Sequence, residues 1–260
     1  MNNNKLFGAL VFVVAAMVGC ANVDEGSGPA MVKIPNGTVV AVSRELYIAV
    51  SRDSGATWTT IQHEAGLPER EGLLVRASYI KETGRFFAFG WRMFSSTDAV
   101  TFAKLERPID EWFGEVAYGN GIYLSGGGYG QVITSTDGIT WKAATQVPDV
   151  DINGIRSAAF GNGKFALADM NQNVFVTADN GATWTKDPLR TVNVGFCDGA
   201  FKDGETCMKS NATKSIWIGH GYMFRAERSS VNLERSGDGK VFQDLGLILP
   251  PRDLAFAPPL

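Results

Sequence analysis

The chain has 260 residues, 45% of them hydrophobic, and a formal net charge of −3. That length can bury one sizeable core. A slightly acidic balance argues against nucleic acid as the main partner, which takes a basic surface. Two histidines and three cysteines show no ligand spacing, so no metal site is expected, and nothing points to a cofactor.

Residues 1–19 read as an export signal. Lys5 is the positive start, and Leu6 to Val18 is an apolar run of signal length, too short for a comfortable transmembrane helix. The run ends in Met17-Val18-Gly19-Cys20, which resembles a bacterial lipobox. The resemblance implies cleavage before Cys20 and a diacylglycerol on its thiol. Plain secretion with ordinary cleavage nearby is the other reading. Ala21 stands where some Gram-negative bacteria place the Asp that retains a lipoprotein in the inner membrane. The expected location is therefore the cell envelope, lipid-anchored, at the outer membrane of a host that has one. Residues 20–30 are polar and rich in Gly and Pro, a flexible tether, and residues 31–260 form the folded domain. Once Cys20 is lipidated, Cys197 and Cys207 remain. In an exported protein they are expected to form a disulfide closing a local loop, with two buried thiols as the alternative.

Five copies of one motif punctuate the domain. They are Ser51-Arg52-Asp53-Ser54-Gly55-Ala56-Thr57-Trp58, Ser96-Thr97-Asp98-Ala99-Val100-Thr101-Phe102, Ser135-Thr136-Asp137-Gly138-Ile139-Thr140-Trp141, Thr177-Ala178-Asp179-Asn180-Gly181-Ala182-Thr183-Trp184 and Ser236-Gly237-Asp238-Gly239-Lys240-Val241-Phe242. The pattern suits a hairpin turn. The Asp carboxylate and the Ser or Thr hydroxyl accept hydrogen bonds from turn N–H groups. Gly supplies positive φ, and the closing aromatic buries a large apolar area. The fourth copy has a faint likeness to a calcium loop, but the remaining acidic ligands are missing.

The copies resemble the Asp box of sialidases and many other β-propellers. The resemblance implies an all-β domain made of four-stranded blades. The starts of successive copies lie 45, 39, 42 and 59 residues apart, close to the about 40–50 residues of a propeller blade. The flanks agree. Glu115–Tyr118, Gly121–Leu124 and Gln131–Thr134 read as strands before the third copy, and Ser157–Phe160, Lys164–Leu167 and Asn173–Val176 before the fourth. The long fourth spacing holds an insertion at 197–213, after which Ser215–Ile218 is expected to resume as a second strand. Arg252–Phe256 looks like a first strand, and Thr38–Val42 and Leu46–Val50 look like strands two and three. The expected architecture is a five-bladed β-propeller of antiparallel blades, closed by pairing N- and C-terminal strands in one blade. A sixth blade has no spare stretch of chain.

In such a fold the motif turns lie on one face. The between-blade loops and the loops joining strands two and three lie on the other, where propellers usually bind. Expected ligand-binding residues on that face are Trp91, Arg92, Trp112, Tyr129 and Arg225. At the inner strands they are Arg76, Arg156 and Arg252. Mixed arginines and carboxylates around a mouth suit an anionic or sugar ligand. They also suit a rim that simply solvates and pairs with itself.

Three functions remain open. The first is a non-catalytic interaction module binding a protein through the loop face, as a monomer. The second is glycan binding or sialidase-like glycoside hydrolysis. Val32-Lys33-Ile34-Pro35 resembles the Arg-Ile-Pro segment of sialidases, with Lys33 in place of the clamp arginine. Glu115 and Asp253 are the inner-strand candidates for a catalytic carboxylate pair. The third is an assembly factor, since the arrangement resembles lipoprotein propellers that help build photosynthetic complexes.

Overall fold

The computed structural model describes residues 36–169, 171, 173–187, 207–210, 214–219, 222–227, 233–236, 243–245, 247 and 252–260. The leader with Cys20, the segment with Lys33, Cys197, and the Asp238–Phe242 part of the fifth motif lie outside the described residues.

Among the described residues, every element apart from one short turn is a strand. The first sheet holds β1 (Thr38–Val42), β2 (Tyr47–Ser51) and β3 (Thr59–Gln62). The second holds β4 (Leu74–Ile80), β5 (Arg85–Gly90), β6 (Met93–Ser96) and β7 (Ala103–Leu105). The third is β8 (Phe113–Gly119), β9 (Ile122–Gly127), β10 (Val132–Ser135) and β11 (Lys142–Ala143). The fourth is β12 (Ile155–Gly161), β13 (Lys164–Asp169), β14 (Val174–Thr177) and β15 (Thr185–Lys186). The fifth contains β16 (Cys207–Ser210), β17 (Lys214–Gly219), β18 (Tyr222–Glu227), β19 (Leu233–Ser236) and β20 (Gln243–Asp244). The last strand, β21 (Asp253–Ala257), pairs antiparallel with β1, from Thr38 opposite Ala257 to Val42 opposite Asp253. The first sheet therefore runs β21-β1-β2-β3.

Burial explains this order. β1 is buried along its whole length, as a Val-rich strand flanked on both edges and covered on both faces must be. The outermost strands β3, β11, β15 and β20 are mostly exposed. Their Thr, Gln, Lys and Asp residues blunt the free edges. Val40, Ile48 and Val50 of the first sheet share a core with Phe86 and Phe94 of the second. Phe87 and Phe89 of the second pack with Val116, Tyr123 and Ile133 of the third. Leu124 and Val132 of the third meet Phe165 and Leu167 of the fourth. Phe224, Ala226 and Leu233 of the fifth sheet join Val39, Ala41 and Leu254 of the first. Successive antiparallel meanders packed face against face make a propeller-like fold.

The fifth sheet differs from the strand order expected from sequence. Ser215–Ile218 falls in β17, which precedes the strand that leads to the β18–β19 connection, so it holds the first-strand place of the four-strand repeat. β16 adds a strand before it. In sequence, Gly219-His220-Gly221 is like Gly119-Asn120-Gly121 and Gly161-Asn162-Gly163, which stand between the first and second strands of the third and fourth sheets. Without that match, the insertion blurs the count.

The motif turns connect the third and fourth strands of the first four sheets. Each begins with a buried hydroxyl, from Ser51, Ser96, Ser135 or Thr177. That oxygen accepts the N–H of Gly55, Ala99, Gly138 or Gly181 at 2.7–2.9 Å. Asp53, Asp98, Asp137 and Asp179 accept the N–H groups that follow. In the first and fourth turns the carboxylate also takes the Thr57 or Thr183 hydroxyl. Ala99 occupies the place of Gly138 at φ 50, where Gly138 has φ 70. The left-handed region costs a side-chain-bearing residue about 1–2 kcal/mol. Gly138→Ala is therefore expected to lower stability by about 1 kcal/mol, whereas Ala99→Gly leaves it level or slightly higher, because relieved strain offsets the looser unfolded chain. Paired thermal melts check this, and equal losses in both variants contradict it.

Candidate functional site: the loop face and the inner strands

Because the strands alternate in direction, the start of each first strand, the β5–β6 and β9–β10 connections, and the between-sheet loops share one face. The motif turns occupy the other. On the loop face, arginines and tryptophans alternate. The Arg70 guanidinium lies 3.8 Å from the Trp91 ring centre, and that of Arg107 lies 5.9 Å from it. Arg107 donates to the Glu111 carbonyl at 3.2 Å and to Asp110 at 2.8 Å. The Glu111 carboxylate accepts the Trp112 N–H at 3.0 Å. Trp112 in turn lies under the Arg156 guanidinium at 4.2 Å. Stacking of this kind fixes a planar cation against an aromatic face.

Arg92 is held differently. It pairs with Glu71 at 2.6 Å and approaches Glu64 at 3.9 Å, while Lys104 also bonds Glu64 at 2.5 Å. The bond from Lys104, first, and the nearby charges of Lys104 and Arg92 hold the Glu64 carboxyl below its ordinary value. Beside this network His63 stacks on Phe94, with ring centres 4.2 Å apart, and its buried Nε2 has no hydrogen-bond partner. Burial lowers its pKa from the ordinary 6.5, and the neighbouring Glu64 opposes that only in part. The folded state thus prefers the neutral ring. Its contribution to stability is complete above pH 6.5 and is lost as pH falls through the depressed folded value. His63→Gln is expected to flatten the stability profile below that pH, as read by urea midpoints, and an unchanged slope counts against it.

The inner strands share a second device. β4, β8 and β12 each carry a bulge near their start, between Leu74 and Arg76, Phe113 and Val116, and Ile155 and Ser157. A bulge withdraws residues from the ladder. In each of these strands an amide beside the bulge is taken up by a side chain of the strand next door. Asp253 accepts the Ala77 N–H at 3.1 Å, Ser78 accepts Val116 N–H at 3.2 Å, and Glu115 accepts Ala158 N–H at 3.2 Å. The two carboxylates nominated as a catalytic pair therefore each hold a neighbouring backbone. Sequence reasoning missed this role and the three successive links, because a bulge is defined by cross-strand pairing that no local motif announces.

Arg76 and Arg156 come together. Arg76 Nε donates to the Arg156 carbonyl at 3.3 Å, and its Nη1 to the Val75 carbonyl at 3.1 Å. Burial, with the Arg76 charge added, lowers the Arg156 pKa to about 10, so Arg156 stays charged at neutral pH. Tyr129 stands apart at the tip of the β9–β10 loop. It is 47% exposed, with φ 52, and its carbonyl accepts from Gln146 at 2.6 Å. Arg252 is exposed just before β21. Arg225 lies in β18, and its side chain is outside the described residues.

No protein-family model and no curated protein matches the sequence. Among solved structures, the chain is similar to one in a nidogen/laminin complex, at 8% identity and TM-score 0.51 over 85% of this chain and 98% of that one. It is also similar to an ancestral GH74 enzyme, at 15% identity and TM-score 0.47, covering 82% of this chain and 32% of that one. A third is YCF48 bound to D1 peptide, at 13% identity and TM-score 0.44, covering 88% of each. Identities this low concern the fold alone.

Proposed function

We propose that the chain is a non-catalytic binding module: a lipid-anchored, monomeric propeller of the cell envelope that takes a protein partner on its loop face. The observation that carries this reading is the Arg70–Trp91–Arg107 and Trp112–Arg156 stacking. Pre-stacked Trp and Arg side chains are the residue types that concentrate binding energy at protein interfaces. The employment of Glu115 and Asp253 on backbone amides favours binding over hydrolysis. Five blades, each turned by an Asp box, close the ring through β21 and β1. The shared core of the fifth and first sheets supports that closure. The anchor is Cys20, after a leader of 1–19 and before a tether ending at residue 30.

Photo-crosslinking from position 91 or 129 in intact cells tests the reading. The expected result is one dominant protein partner, lost in Arg92→Glu and unaffected by a substitution on the opposite face at Thr136. A loop face that captures no protein while the soluble domain retains a sugar overturns it in favour of a glycan-binding propeller. Cys20→Ala is expected to release the chain from membranes, and continued partitioning removes the anchor.

A further inference from the structure

We infer that Arg76 and Arg156, backed by Trp112, form a receptor for an oxyanion at the loop-face end of the inner strands. The inference deepens the loop-face reading and rests on it only for the location of a partner.

The Arg76 guanidinium is bound to the Arg156 main chain, and its charge is near enough to act on the Arg156 guanidinium. Arg76 spends two of its N–H groups on main-chain carbonyls, one of them that of Arg156 itself. The Arg156 Nε is buried and unpartnered. The carboxylates of the neighbouring inner strands accept from the amides of Ala158 and Ala77, and no ion pair joins them to either arginine among the described residues. Elsewhere on this face the arrangement is the reverse. Arg44, Arg92 and Arg107 each meet a carboxylate within 2.8 Å. Like charges held near each other where both are half-buried disfavour each other, and burying a charge unpaired is costly. An oxyanion relieves both penalties, because guanidinium forks donate in pairs to planar or tetrahedral oxygens. Trp112, 8% exposed, keeps the Arg156 plane from turning, so the donors are fixed before the ligand arrives.

The shared chemistry is a carboxylate or phosphate oxygen. Its source is a group on a partner or a free inorganic ion. The full chain, kept in detergent, is titrated with sodium phosphate, sulfate or acetate at constant ionic strength. Binding is followed by thermal shift and calorimetry. A saturable response with a dissociation constant on the order of 1 mM is expected, weakened about tenfold in Arg156→Gln and in Arg156→Lys, since the ammonium lacks the fork. Arg44→Gln, an exposed pair on the same face, leaves it unchanged. Acetate acting as strongly as phosphate identifies a carboxylate ligand, and phosphate alone identifies a dianion. A response equal in wild type and in a folded Arg76→Gln/Arg156→Gln variant overturns the proposal, as does none above that of sodium chloride. Anion binding without any captured protein keeps the receptor and removes the protein partner. Partner capture indifferent to Arg156→Gln, with no anion response, does the opposite.

Discussion

Trp141→Ala is expected to destabilise the chain by about 3–5 kcal/mol, the range for deleting a large buried aromatic. Trp141 is 6% exposed and sits where the second and third sheets meet. Its ring centre lies 5.3 Å from Phe89, 5.9 Å from Phe87 and 6.3 Å from Tyr123. The two Phe contacts are edge-to-face, the favourable arrangement for aromatic quadrupoles. The same motif position in the first and fourth turns carries Trp58 and Trp184, both only partly buried. Trp184 has its indole N–H bonded to the Thr145 carbonyl at 2.8 Å, so its alanine variant loses a hydrogen bond and less apolar area. Trp141 Nε1 is buried without a partner. Trp141→Phe therefore forfeits area alone, and is expected to cost about 1–2 kcal/mol. Urea denaturation at constant m-value orders the three variants. If Trp184→Ala costs as much as Trp141→Ala, the second–third sheet core is not where the stability resides.

The repeated turns were legible because their chemistry is local. A hydroxyl, a carboxylate two residues on, and a residue at positive φ close one turn without help from the rest of the chain. The pairing of Thr38–Val42 with the C-terminal strand was equally legible, since an unbroken Val-rich run needs neighbours on both edges. The fifth sheet was less so. An insertion ahead of Ser215–Ile218 shifts the strand count by one, and periodicity alone does not reveal which strand has been displaced. The site divides in the same way. Trp91, Arg92 and Trp112 could be placed on one face from loop positions, and Arg156 at the start of an inner strand. Their partners could not, because Arg70 over Trp91 and Arg76 beside Arg156 depend on how neighbouring sheets are rotated against each other.

That rotation also decides what Glu115 and Asp253 do. Read along the chain, each is a carboxylate near the start of an inner strand, as a catalytic acid would be. In the fold each faces the amide of Ala158 or Ala77 on an adjacent sheet. A buried amide left without an acceptor costs about 1–3 kcal/mol, so such links tie one sheet to the next and penalise any slip between them. Ser78 does the same for Val116 without a charge. The hydroxyl serves from two residues further along its strand than Glu115 and Asp253 do on theirs, so the amide finds an acceptor without a fixed acidic position.

Acid is expected to unfold the chain between pH 3.8 and about 2, through the motif turns. Asp98 is held at about 2 by the Thr101 and Val100 amides, and Asp137 at about 2 by those of Ile139 and Thr140. Asp179 is held at about 2 by the Thr177 and Thr183 side chains. At Asp53 burial pushes upward, and the hydrogen bonds from Thr57, Ser51 and Ala56 outweigh it. Each folded pKa is below the ordinary 3.8, so the unfolded chain takes up protons first. The stabilisation is complete above that value and drains away as pH falls through the folded values. These carboxylates are solvent-accessible, so the effect of each is screened and the loss is collective. Asp137→Asn/Asp179→Asn is expected to be less stable at neutral pH and to lose stability about half as steeply on acidification. Ser135→Ala provides the contrast. It leaves the buried Gly138 N–H without its 2.9 Å acceptor, costs about 1–3 kcal/mol at every pH, and keeps the acid slope nearly intact. An Asn double variant whose acid curve parallels the wild type assigns acid unfolding to other carboxylates and leaves the turns a purely geometric role.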